Sequence, residues 1–305
     1  MSQPKFPKSW RRVLFVALLV AVLGASGWLV LRPQKPEPVY QGKTLSTWME
    51  QYYRMGDESA YRNKNAGAPP PTNSAALREE AAIALREIGT NAIPYYLKLA
   101  ATRISPMQMQ IMYNKVFSKV SWRTPWLGTA CYRWATEFSE NPQKALLGFQ
   151  LLGPAAKSTV PDLIHLMQTS DSRNSRRSAA YALSFIGPAA KDAVPALVQN
   201  FKDPYEMVRD ATVTALFAIA QDHDTYRWRP ECAAVMVPAL SQLLSDTNTD
   251  VLRVVFMLSD LQGEARPAVP ALMPFLNDTN VQISSATQNA IKSIDPEAAA
   301  KAGIR

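Results

Sequence analysis

The chain has 305 residues, of which 47% are apolar and 19% charged, a balance that excludes a disordered polymer and suits one large or two ordinary folded domains. Its formal charge of +8 sits mostly at the start: residues 1–40 hold Lys5, Lys8, Arg11, Arg12, Arg32 and Lys35 against the single acid Glu37, which leaves the body too mildly basic for a phosphate-binding footprint. Two cysteines, Cys131 and Cys232, make no disulfide framework, and neither has a second Cys or a His at ligand spacing.

In chain order, residues 1–12 are a basic segment, and residues 13–31 run without a charge between Arg11-Arg12 and Arg32, long enough to span a bilayer core. Ala25-Ser26-Gly27 offers a signal-cleavage site, and Ser9-Trp10-Arg11-Arg12 a loose twin-arginine export signal. The apolar run outlasts an ordinary signal core and continues through Trp28-Leu29-Val30-Leu31, which favours a retained single-pass anchor. Four basic residues precede the span, and Arg32, Lys35 and Lys43 follow it. This bias points the N-terminus to the cytoplasm and the body to the periplasmic or extracytoplasmic side. Residues 32–41 are proline-rich and read as a stiff stalk. Residues 42–74 combine a first helix with a polar loop at 56–73 that contains Pro69-Pro70-Pro71, and residues 295–305 read as a tail.

Residues 75–294 repeat. Gly153-Pro154-Ala155-Ala156-Lys157 up to Pro161 matches Gly187-Pro188-Ala189-Ala190-Lys191 up to Pro195, and shorter matches surround Pro94, Pro238 and Pro270. These prolines are separated by 67, 34, 43 and 32 residues. The interval of 67 is close to two periods and predicts a hidden degenerate unit; the interval of 43 is one period plus an insertion around 222–230. Each unit reads as two helices. The proline suits a first turn, where no backbone N–H is needed, and Val194, Leu197, Val198 and Phe201 then keep the spacing of one buried helical face. Asp171, Asp203, Asp246 and Asp278 stand at the turn between helices, where a carboxylate accepts from following N–H groups. Val208, Ala211, Thr212, Ala215, Leu216 and Ile219 form the stripe of a second helix, and Gly89, Gly153, Gly187 and Gly263 suit left-handed helix ends. No such pair buries its apolar face alone, but a row of them does. The fold class expected is an all-α solenoid of about seven helix pairs, at 42–54/75–88, 93–102/106–119, 125–138/142–152, 160–168/174–186, 193–201/206–221, 232–244/249–261 and 268–276/280–293.

Asp203, then Val208-Arg209-Asp210-Ala211, then Ala215-Leu216 and Ile219, together with Arg176, Ala182-Leu183 and Ile186-Gly187, resemble HEAT or HEAT-like repeats. The units with Pro142, Leu252 and Ser284 at the arginine position depart from that pattern. Tyr40, Gly42-Lys43, Leu45-Ser46 and Trp48 resemble a segment that precedes the repeats in many bacterial HEAT-repeat proteins.

Catalytic chemistry finds little support. The two histidines are His165, beside Ile164 and Leu166 on a helix, and His223, between Asp222 and Asp224. No Gly-rich phosphate loop, Gly-x-Ser-x-Gly turn or Cys-x-x-Cys pair is present, and the His-Glu pairs of a HEAT-like iron hydroxylase are missing. The expectation is therefore no catalytic residue, cofactor or metal, and no nucleic-acid partner, since the best basic cluster, Arg173, Arg176 and Arg177, includes the repeat's structural arginine. What stands out is aromatic-arginine content of the type enriched at interface hot spots: Trp122, Trp126, Trp134, Tyr226, Arg227, Trp228 and Arg229 are the candidate partner-binding residues. The function expected is a membrane-anchored scaffold for protein partners. The alternative is an accessory or regulatory subunit of an enzyme complex, with a small-ligand or metal site near His223.

Overall fold

The computed structural model describes residues 36–56, 65, 69–101, 140–222, 225, 227–246 and 250–304. The expected membrane segment, residues 13–31, lies outside them; among the described residues no helix is long and apolar enough to cross a bilayer.

The described chain opens on a tight antiparallel hairpin, β1 (Val39–Tyr40) with β2 (Lys43–Thr44), which helical periodicity does not announce. Its two-residue turn needs positive φ at both positions, and Gln41 (47°) and Gly42 (75°) provide it. The hairpin seats α1 (Leu45–Gly56): the Trp48 indole donates to the Tyr40 carbonyl at 3.0 Å, and the Lys43 ammonium lies 3.9 Å from the ring centre. Leu45 and Trp48 are fully buried. The segment from Tyr40 to Trp48 is therefore an end-cap for the helices that follow, beginning with α2 (Ser74–Ile88), which packs along α1.

Four of the five later units start with a residue of positive φ, the unit of α9 being the exception among the described residues. Gly89 and Gly187 have φ of 59° and 64° with ψ of −138° and −142°. This is not the left-handed helical basin expected from sequence but a region glycine alone enters without strain. In the last unit the position falls on Gln262, with φ of 49°, and Gly263 has an ordinary φ. A 3-10 segment follows, and then a first helix with proline in its first turn: Pro94 in α3 (Ile93–Ala100), Pro161 in α5 (Val160–Thr169), and Pro195 in α7 (Val194–Gln199). Pro270 stands likewise in α11 (Val269–Leu272). Pro238 departs from this rule: it lies inside α9 (Pro230–Leu243), and Pro230 occupies the first turn instead.

The second helices are residues 140–152 (α4), α6 (Arg173–Ile186), α8 (Glu206–Ala220), α10 (Val251–Asp260) and α12 (Val281–Ile294). Two of the expected turn aspartates act as foreseen, Asp203 accepting from the Tyr205 N–H at 2.9 Å and Asp278 from that of Asn280 at 2.7 Å. At the other two turns the cap moves along, to Ser172 for α6 and Asp250 for α10. Buried Ala179, Ala180 and Ala182 let α6 lie close along α8. The expected C-terminal tail is instead a short helix, α13 (Pro296–Lys301), capped by Asp295 and packed on α12.

Tyr96 of α3 is fully buried with its ring edge-on to Phe149 of α4, centroids 5.9 Å apart. A Cβ added at Gly148 would come within 2.5 Å of that ring. Leu99 and Ala100 cluster with Ala145. The turn at Gly89–Ala92 also packs on Gly153–Thr159, as the latter does on Gly187–Ala193. Thus α3 and α4 are in direct contact, and the half-units expected at 106–119 and 125–138 lie outside the described residues. The described residues make six helix pairs around a core cluster that runs from Leu45 to Ala299.

Candidate protein-binding groove

The units are bolted together along the edge where first helix turns into second. Arg176 donates from Nη1 to the Ser170 carbonyl at 2.8 Å within its own unit and grips Asp203 of the next with Nε and Nη2, at 2.6 and 3.1 Å. Arg209 repeats the arrangement, donating to the Asp203 carbonyl at 2.8 Å and reaching Asp250 at 3.6 Å. Where the arginine is absent, other groups serve. Arg253, next to Leu252, pairs with Asp210 at 2.5 Å, and the Ser284 hydroxyl donates to the Leu276 carbonyl at 2.6 Å. Arg176 is therefore committed to structure, and the basic cluster loses its central member.

Of the sequence-selected candidates, Trp122, Trp126, Trp134 and Tyr226 lie outside the described residues, as does His223. Arg227 is exposed and Arg229 half-buried, 3.8 Å from Asp222. Trp228 is not on the surface: it is 6% exposed, its indole donates to the Asp260 carbonyl at 2.7 Å, and its ring centre lies 5.0 Å from that of Phe217. The reason is a gap in the stack. α8 and α10 do not pack along one another as α6 and α8 do. Arg253 and Arg209 bridge one end of that seam to Asp210 and Asp250, and Trp228 fills the other. Trp228 as a partner-binding residue is thus corrected to a packing wedge. Beside it, Asp222, Arg227, Glu231, Asp260 and Glu264 line an open hollow of about 600 Å3. Burial pushes the Asp260 carboxyl above the usual range.

Sequence reasoning missed a groove at the other end. The C-terminal turns of α1 and the side of α4 enclose a hollow of about 270 Å3, walled by Tyr52, Tyr53, Leu146, Leu147 and Phe185, with Gln143 and Gln150 on its rim. A second, more polar hollow of about 400 Å3 adjoins it, lined by Met55, Ser74, Ala75, Glu79, Ala82 and Arg86. Tyr52 and Arg78 border both, the Arg78 guanidinium 4.9 Å from the Tyr52 ring centre. Four buried or half-buried charges tie α1 to α4: Arg54 contacts Glu50 at 2.9 Å and Glu140 at 3.0 Å, and Lys144 contacts the same carboxylates at 2.6 and 3.2 Å. Burial by itself lowers the Arg54 pKa, but the Glu50 hydrogen bond and the two carboxylate charges outweigh it and hold the group above the ordinary arginine value. Tyr53 donates to the Gln143 side-chain carbonyl at 2.8 Å, so α1 is fixed to α4 along the groove. No local pattern marks these residues, since each is an ordinary member of a helical stripe that is left partly uncovered among the described residues.

Nucleophile and metal chemistry stay undeveloped among the described residues. No group of three or more His, Cys, Asp or Glu there is placed to hold a metal ion. Cys232 is buried, and burial with the neighbouring Glu231 charge pushes its thiol above the ordinary value, the inert direction. His165 is exposed on α5.

A family model described as "HEAT repeats" matches residues 136–217, which begin just before α4 and end within α8. Among solved structures, the chain is similar to the designed armadillo repeat protein YIII(Dq.V1)4CPAF in complex with peptide (KR)4, at 13% identity, with 81% of this chain and 99% of that one covered and a TM-score of 0.36. It is also similar to the designed armadillo repeat protein YIII(Dq)4CqI, at 15% identity, 81% and 100% coverage and a TM-score of 0.36. No curated protein matches the chain. Residues 136–217 are thus similar to HEAT repeats, and the two-helix unit of that stretch recurs on both sides of it.

Proposed function

We propose that the chain is a membrane-anchored scaffold that binds segments of other proteins on its repeat surface and carries out no catalysis of its own. In this reading residues 13–31 hold it in the membrane, and the body stands on the extracytoplasmic side. The observation that carries it is the core cluster from Leu45 to Ala299, closed by the Trp48 cap at one end and by α13 at the other. Such a body spends its apolar residues on holding a long surface in shape. An aromatic groove left open on that surface supports protein binding over a purely structural role.

Two measurements test it. Full-length protein stays in the membrane pellet after high-salt and carbonate washing; recovery of a soluble form shortened by cleavage within the first forty residues overturns the anchor. Photocrosslinking residues placed singly at Gln150, in the groove, and at Pro161, Glu231 and Phe256, exposed elsewhere on the body, give discrete protein adducts from at least one position in native membranes. Absence of adducts at every position overturns the scaffold.

A further inference from the structure

The two hollows that meet at Arg78 and Tyr52 differ in character, and together they specify a ligand. The first is apolar and, at about 270 Å3, smaller than an ordinary cofactor or drug site, so it admits one large side chain. The second is polar and basic. Around both, each other cation already has a carboxylate: Arg54 and Lys144 share Glu50 and Glu140, Lys43 stands 3.7 Å from Glu80, and Arg86 3.3 Å from Glu79. Arg78 is the exception. Among the described residues it forms no ion pair and its buried Nε has no acceptor, being pressed against Gly56, where an added Cβ would lie 2.8 Å away. The rest of its guanidinium borders both hollows.

We propose that this double groove binds an extended segment of a partner protein in which a large apolar side chain, aromatic or Leu, is followed directly by a carboxylate. The apolar group enters between Tyr53, Leu147 and Phe185, and the carboxylate meets Arg78 as a charge-assisted pair stacked on Tyr52. The Gln150 amide on the rim is free to bond the main chain of such a segment. The inference rests on the scaffold reading and names the recognition chemistry within it. The carboxylate is the side chain of an internal Glu or Asp, and the test sets a chain-terminal carboxylate against it.

The probes are fluorescein-labelled nine-residue peptides in a Gly/Ser background, carrying internal Phe-Glu, Phe-Gln or Ala-Glu, or a C-terminal Phe with a free or amidated end. They are titrated with the full-length protein in detergent and read by fluorescence anisotropy. The Phe-Glu peptide binds about tenfold tighter than Phe-Gln and than Ala-Glu, the scale of one charge-assisted bond or one buried ring. Discrimination that appears instead between the free and amidated C-terminal Phe, with Phe-Glu and Phe-Gln alike, overturns the internal carboxylate. Arg78→Gln removes the Glu preference but leaves Phe-Gln binding as it was, and Gln150→Ala weakens every peptide while the melting temperature holds. The proposal is overturned if the acidic and amide peptides bind alike, if Arg78→Gln keeps the preference, or if no peptide binds. In that last case crosslinked adducts from Pro161, Glu231 or Phe256 leave the scaffold standing without this groove, and their absence removes both.

Discussion

Replacing Trp228 by Ala should destabilise the body without any partner present. The ring is 6% exposed, touches Phe217 and donates to the Asp260 carbonyl at 2.7 Å. Truncating a packed aromatic to Ala costs about 3–5 kcal/mol, and loss of the ring pair accounts for about 1 kcal/mol of that range. Because the neighbouring hollow lets water reach the vacated carbonyl, the lower half applies, about 3–4 kcal/mol. At about 2–4 °C per kcal/mol for a body of this size, the melting temperature falls by about 10 °C. Trp228→Phe keeps the contact with Phe217 and loses the donor, and so costs about 1–2 kcal/mol. Arg227→Ala, at an exposed neighbour, stays within about 0.5 kcal/mol. Urea and thermal unfolding followed by circular dichroism measure all three, and hydrogen exchange places the loss in α8 and α10, the elements on either side of the seam. A Trp228→Ala protein that melts within a degree or two of the parent refutes the wedge.

Gly148→Ala drives a methyl into the Tyr96 ring and costs about 1–3 kcal/mol in chemical denaturation. Tyr96→Phe is neutral or stabilising by up to about 1 kcal/mol, because the hydroxyl is buried without a partner. Gly187→Ala, at φ 64° and ψ −142°, costs about 1–3 kcal/mol. Gly263→Ala is tolerated, since its φ is ordinary and nothing lies within 4 Å of the added carbon; equal effects at the two glycines would contradict the assignment of the turn. Asp203→Asn strips Arg176 of its buried carboxylate and costs about 3 kcal/mol, visible as a lowered urea midpoint.

The elements that were legible in the sequence are those whose cause is local. Pro161 and Pro195 sit in first turns because that is where a residue without an N–H does no harm, and the stripe from Val208 to Ile219 is buried as its spacing requires. The hidden unit expected between Pro94 and Pro161 falls outside the described residues, and an interval near two periods is also one period plus an insertion. What separates these is the fit of the Tyr96 ring over Gly148, a long-range pairing of large with small that has no local signature. Trp228 carried the composition of a contact residue, yet its burial depends on the distance between α8 and α10, which no window of sequence contains. The groove was illegible for the opposite reason: Tyr52, Leu147 and Phe185 look like core residues, and among the described residues nothing covers them fully.

The continuity of the stack from α1 through α12 underlies both the rigid surface and the groove, and one deletion tests it directly. Residues 102–139 are replaced by a Gly/Ser linker of about six residues, somewhat longer than the three-residue turn between α5 and α6. If α3 and α4 form a single unit, the shortened protein keeps its helical signal, unfolds in one cooperative step with a midpoint near the parent's, and retains the protection of Tyr96 and Phe149 from exchange. A protein that loses its cooperative transition, or in which α1–α3 exchange freely while α5–α12 stay protected, would mean that residues 102–139 supply helices of the stack itself.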